Sequence, residues 1–143
     1  MADTRTHVDI SAVIDKIALA QPIVGDGPVV MLNLLRFRKV ADYSQFPELA
    51  PSEPISGEDA YMRYLAAIEP RAKARGGDIV FLGKSGPFLL GPEDERWDMV
   101  LLARWPELKM LAASPSDPAY RAIGGHRTAA LEDSRLLPML QLR

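Results

Sequence analysis

At 143 residues, 48% hydrophobic and 25% charged, the chain has the size and make-up of one globular domain with a core of its own. Nineteen acidic residues against seventeen scattered basic ones leave a net charge of −2, which argues against a nucleic-acid partner. There is no cysteine, so disulfides, thiolate metal sites and thiol chemistry are excluded.

Ile10, Val13, Ile14 and Ile17 recur at helical spacing, with Asp9 placed to accept from the first free amides, and predict a helix over residues 10–20. Asp15 and Lys16 interrupt its apolar run. A signal peptide or membrane span would not, so a cytoplasmic protein without membrane contacts is expected. Gly25-Asp26-Gly27-Pro28 turns the chain. From Val29 to Phe37 nearly every position is apolar, with Asn33 the interruption. A strand apolar in both alternating sets is covered on both sides. Residues 38–56 form a long connection carrying Pro47, Pro51, Pro54, Tyr43 and Phe46. It is either a docked loop anchored by its two rings or a lid.

Ser56 and Asp59 form a capping pattern, and Tyr61, Tyr64, Leu65, Ile68 and Ala72 draw an apolar stripe down the helix that follows. Pro70 is expected to kink this helix and Gly76-Gly77 to end it. Ile79 to Gly83 reads as a strand, and Phe88 to Leu90 as a hairpin arm. After the charged loop Pro92 to Arg96, Trp97 to Trp105 is a second strand apolar on both faces, stopped by Pro106. A short helix is expected from Glu107 to Ala113. Asp117 caps a further helix with Pro118 at its first position; Gly124-Gly125 should interrupt or bend it before His126 to Leu131 resumes. Arg135 to Leu142 is the last strand, and Pro138, which cannot donate to a ladder, assigns it to an edge.

The order is β-α-β-β-α-β: an α+β domain over residues 1–143, with a helical extension over 1–27 and a ferredoxin-like core over 28–142. In that topology the first and third strands are central, where the two doubly apolar segments belong. Helices on one face leave an apolar sheet face bare, which a soluble monomer does not tolerate. Two such sheets packed face to face, over about 1,600 Å², make a homodimeric α/β barrel.

Met31-Leu32-Asn33-Leu34-Leu35-Arg36-Phe37, the Tyr61…Tyr64 helix, Gly76-Gly77, Glu95-Arg96-Trp97-Asp98, Asp117-Pro118-Ala119-Tyr120 and the stretch from His126-Arg127 to Arg135-Leu136 resemble the domain-of-unknown-function 1330 family. The resemblance spans about residues 28–140. It implies the dimeric α/β-barrel fold but supplies no reaction. Better-known members of that superfamily include cofactor-independent monooxygenases, polyketide cyclases and haem-degrading enzymes.

Seven residues are candidates for chemistry. Asn33, mid-strand among apolar neighbours, either bonds to nearby backbone or points into the barrel and orients a substrate. His126 is the one histidine outside the N-terminal arm and would move a proton. Arg127 beside it would clamp a carboxylate or phenolate and stabilise a developing anion. The bland alternative is a surface histidine with an ion-paired arginine. Tyr64, Trp97, Asp98 and Arg36 are possible substrate contacts, against readings as core residues or rim ion pairs; alternation puts Arg36 on the face opposite Asn33. Asn33, Trp97 and His126 also follow the order of the Asn, Trp and His of the haem-degrading branch, with a longer gap before His126. Gly83-Lys84-Ser85 lacks the glycine and helix of a phosphate loop, and two histidines without cysteine do not suggest zinc.

The expected function is a homodimer that binds a small apolar or aromatic molecule, with no metal and no cofactor. Its narrower form is a cofactor-independent oxygenase, isomerase or cyclase. The alternatives are a non-catalytic ligand-binding or interaction protein, and a haem-binding or haem-degrading protein.

Overall fold

A computed structural model describes residues 6–112 and 118–143. Asp9 accepts from the Ser11 amide at 2.9 Å and opens a 3-10 turn, Ile10–Ala12, which continues as helix α1, Val13–Val24. The helix runs past the expected residue 20 and through Pro22, and ends at Gly25, whose φ of 76° is one that glycine takes easily. Ile17, Ala20 and Val24 pack against Val29, Met31 and Leu108, whereas Ile14, expected in the buried stripe, faces solvent.

Four strands follow: β1 (Val29–Phe37), β2 (Asp78–Lys84), β3 (Met99–Trp105) and β4 (Leu131–Met139). They form one antiparallel sheet in the order β2-β3-β1-β4. The two most apolar strands therefore take the central places, and Pro138 lies on an edge strand. Helix α2, Gly57–Ala74, links β1 to β2, and helix α3, Pro118–Ala130, links β3 to β4.

The sheet has two unlike faces. Val29, Met31, Asn33, Leu35 and Phe37 of β1 are buried on the face that α1, α2 and α3 cover. On the other face one row crosses all four strands: Phe81, Leu102, Leu32 and Leu137 stand side by side. No described helix covers this row; Phe81 is 53% and Leu137 54% exposed.

Ser56 caps α2 by accepting from the Asp59 amide at 3.0 Å, as its sequence predicts. The connection before it is docked. Ala41 and Asp42 donate their amides to the carbonyls of Ile55 and Ala129, both at 2.9 Å, and Tyr43 is buried.

Several expectations are corrected. Phe88 to Leu90 makes no hairpin arm; Leu89 and Leu90 are exposed and unpaired with the sheet. Gly124-Gly125 does not break α3. Gly125 serves close packing, since a Cβ there would lie 2.5 Å from Leu49 and 2.8 Å from Phe46 of the docked loop. The last strand begins at Leu131, directly after α3, and ends at Met139. Trp97 and Asp98 precede β3 instead of opening it. The short helix after Pro106 is a 3-10 segment, Leu108–Ala112; Ala113 and the expected cap Asp117 lie outside the described residues. No helix among the described residues is long and apolar enough to cross a membrane.

Candidate functional site

Between the helix-covered sheet face and α2 lies a cavity of about 310 Å³. Leu65, Ile68 and Leu101 give it apolar walls, and Trp105, Ile10 and Val13 extend them toward the N-terminal turn. Three of the sequence candidates reach it: Asn33 from β1, Tyr64 from α2 and Arg127 from α3. The sequence leaves Asn33 either bonded to nearby backbone or pointing into a barrel, and it does bond to backbone. It points toward the helices, because the odd positions of β1 are the ones those helices cover.

Asn33 sits between Leu101 and Leu136 in the sheet register. Its amide nitrogen donates to the Leu101 carbonyl at 3.2 Å and more weakly to Met31 at 3.4 Å. Among the described residues its side-chain carbonyl accepts no hydrogen bond. Tyr64 and Tyr120 share a hydrogen bond between hydroxyls at 3.2 Å. Burial pushes the Tyr64 phenol well above its ordinary value, with the neighbouring Tyr120 and Tyr61 adding to the rise. Tyr61 is pushed up to about 12, again chiefly by burial. Both phenols therefore stay protonated and can donate. The positive charge of Arg127 acts on both in the opposite direction. Arg127 itself donates to the Val8 carbonyl at 2.6 Å and to the Ser134 hydroxyl at 3.4 Å.

The other four candidates stand elsewhere. His126 precedes Arg127 on a helix, so the two side chains leave the axis roughly 100° apart. Arg127 turns to the sheet while His126 turns to the docked loop, where its Nδ1 lies 2.8 Å from the Tyr43 hydroxyl. The rings meet edge to face at 5.6 Å. Burial, with help from the charge of Arg63, lowers the His126 pKa. Trp97 is buried between the guanidinium groups of Arg36, 5.9 Å from its ring centre, and Arg135, 5.0 Å away. Among the described residues its indole nitrogen finds no acceptor. Arg36 pairs with Glu132 and Asp133, each at 3.7 Å. Asp98 accepts from the Phe37 amide at 2.8 Å and pairs with Arg96 at 3.1 Å, the rim role weighed against a catalytic one. Asn33 thus lines the cavity, whereas Trp97 and His126 do not.

Two solved structures match the chain along nearly its whole length. One is a crystal structure of the RPA0582 protein of unknown function from Rhodopseudomonas palustris: 33% identity, TM-score 0.77, covering 97% of this chain and 99% of that one. The other is a crystal structure of the methylated RPA0582 protein, also 33% identical, with a TM-score of 0.79 and 96% of each chain covered. This chain belongs to the family of the RPA0582 protein. No protein-family model and no curated protein matches it.

Two further residues, not candidates in the sequence, take part: Tyr120 lines the cavity, and Ser134 touches Arg127 without lining it. Tyr120 and Ser134 complete the polar contacts of Tyr64 and Arg127. Tyr61 stands one helical turn before Tyr64, with ring centres 5.3 Å apart, a spacing visible in the sequence. Nothing in the sequence marks Ser134 as a partner of Arg127. Among the described residues no cluster of three or more His, Asp or Glu is placed to hold a metal ion.

Proposed function

We propose that the chain is one half of a homodimeric α/β barrel, and that each subunit holds a small apolar or aromatic molecule between its sheet and its helices. The strand order β2-β3-β1-β4 with both crossover helices on one face supports a ferredoxin-like core, the architecture implied by the resemblance to the domain-of-unknown-function 1330 family. The bare row of Phe81, Leu102, Leu32 and Leu137 supports a second copy as its cover.

The observation that carries the ligand reading is the cavity itself. A space of about 310 Å³ with mainly apolar walls and a few convergent polar groups has the character of a small-molecule site. Asn33 would orient the bound molecule, and Tyr64 would donate to it. The narrower reading, cofactor-independent oxygenase, isomerase or cyclase chemistry, needs a group that moves a proton. His126 stands outside the cavity, and Tyr61 and Tyr64 hold their protons firmly. That distribution favours the non-catalytic form, a ligand-binding protein.

The test uses neutral 2-naphthol, with binding followed by calorimetry. Ala72 lies in the cavity wall, so Ala72→Trp should fill the space and abolish binding while the protein stays folded. Equal binding by the wild type and by this variant would place any ligand site elsewhere.

A further inference from the structure

Arg127 is only 6% exposed, yet it forms no ion pair among the described residues. Its partners are the neutral Val8 carbonyl and the neutral Ser134 hydroxyl. Each nearby carboxylate is engaged elsewhere. Asp133 accepts from the His7 and Ser134 amides and pairs with Arg135 at 2.7 Å. Glu69, at the rim of the cavity, pairs with Lys73 at 3.4 Å. Asp9 feels the charge of Arg127 but forms no ion pair with it; one of its oxygens is held by the amide and the hydroxyl of Ser11. A buried cation with no counter-charge in contact is costly, and neutral acceptors compensate it only in part. A guanidinium has five N–H donors in a fork that matches a carboxylate. The space Arg127 adjoins is the cavity.

The rest of the lining says what the anion would be attached to. Leu65, Ile68 and Leu101 offer only apolar contact; Arg71, which is exposed, and Arg75, which donates to the Met110 carbonyl at 2.9 Å, also line the cavity. Of the paired Tyr64 and Tyr120 hydroxyls, one spends its proton on the other, which leaves one to donate to an anionic oxygen; the side-chain carbonyl of Asn33 can accept from one hydroxyl or amine on the ligand body. We infer that the cavity is a site for a small apolar or aromatic carboxylic acid, with Arg127 as the counter-charge of its carboxylate. The inference rests on the cavity being a ligand site and adds the charge and chemical class of the ligand.

Calorimetric titration of the full chain with 2-naphthoate and with its neutral near-isostere 2-naphthamide separates the two claims. The acid should bind about ten-fold to a hundred-fold more tightly than the amide, the range a charge-assisted hydrogen bond supports. Arg127→Gln should erase that preference while amide binding persists, and Arg127→Lys should keep part of it. If acid and amide bind wild type equally, the carboxylate assignment is overturned and the ligand site stands. If neither binds at millimolar concentration, the ligand site itself falls, and this inference with it. Should both variants fail to fold, a crystal structure of the wild type with 2-naphthoate decides. A carboxylate within hydrogen-bond distance of the Arg127 guanidinium supports the assignment; one turned away from it overturns it.

Discussion

The guanidinium of Arg127 and the backbone carbonyl of Val8 meet at 2.6 Å although 119 positions separate them in sequence. The N-terminal arm is thereby clasped along the last strand, with the His7 amide on Asp133 and the Ser134 hydroxyl on the His7 carbonyl. Removing residues 1–9 would strip a buried cation of one of its two acceptors. The expected loss of stability is about 2 kcal/mol, the usual value of a hydrogen bond to a charged group. Urea unfolding measures it, and an unchanged midpoint would show that the arm contributes nothing to holding Arg127.

Gly57 marks a close approach of three segments. A Cβ there would lie 2.3 Å from the Arg38 carbonyl oxygen and 2.5 Å from that of Ala130. The Gly57 amide also donates to the Arg38 carbonyl at 3.0 Å. Both obstructing atoms are backbone and cannot swing aside, so Gly57→Ala should cost about 2–3 kcal/mol. At Gly27 a Cβ meets nothing within 4 Å. Gly27→Ala should stay within about 0.5 kcal/mol of wild type. Thermal melts of the two variants compare them directly, and similar losses would contradict the packing argument.

His126 gives the protein a mild sensitivity to acid. Its pKa is lowered in the folded state by burial and by the charge of Arg63, so the unfolded chain takes up a proton at higher pH than the folded one. The contribution is complete above about 6.5, the ordinary value for an imidazole, and is lost as pH falls through the lowered value. An NMR titration of the His126 ring should show a midpoint below 6.5, and His126→Gln should flatten this part of the stability profile. A midpoint at or above 6.5 would reverse the sign.

The bare sheet face makes a prediction about assembly. Leu32 lies at its centre, between Leu102 and Leu137. A charge there cannot be buried against a second sheet without a large penalty. Analytical ultracentrifugation should find the wild type at twice the mass of one chain and Leu32→Asp at the mass of one. A monomeric wild type would leave the barrel reading without support.

Much of the framework is legible in short stretches of sequence because its causes are short in range. Asp9 and Ser56 cap the segments that follow them because the accepting oxygen lies two or three residues from the donating amide. The spacing of Tyr61, Tyr64 and Leu65 places one stripe on one helix face, and those residues are buried. The largely apolar character of residues 29–37 and 97–105 assigns them to the middle of the sheet, and Pro138 assigns its strand to the edge. Where local signals misled, a distant neighbour was responsible. Gly125 reads as a helix breaker until Phe46 and Leu49 are seen packed against it.

The site depends on contacts between residues far apart in the chain. Alternation says that Met31, Asn33 and Leu35 share a face, but only the position of the helices decides that this face is the covered one. The pairing of Tyr64 with Tyr120 spans 56 positions, and that of Arg127 with Val8 spans 119. His126 and Arg127 are neighbours in sequence, yet helical rotation sends one to the docked loop and the other to the cavity. Local sequence thus determined the elements and their apolar faces, since periodicity and caps act within a few residues. Tertiary packing alone decided which polar groups converge, because that depends on which face each element turns toward the others.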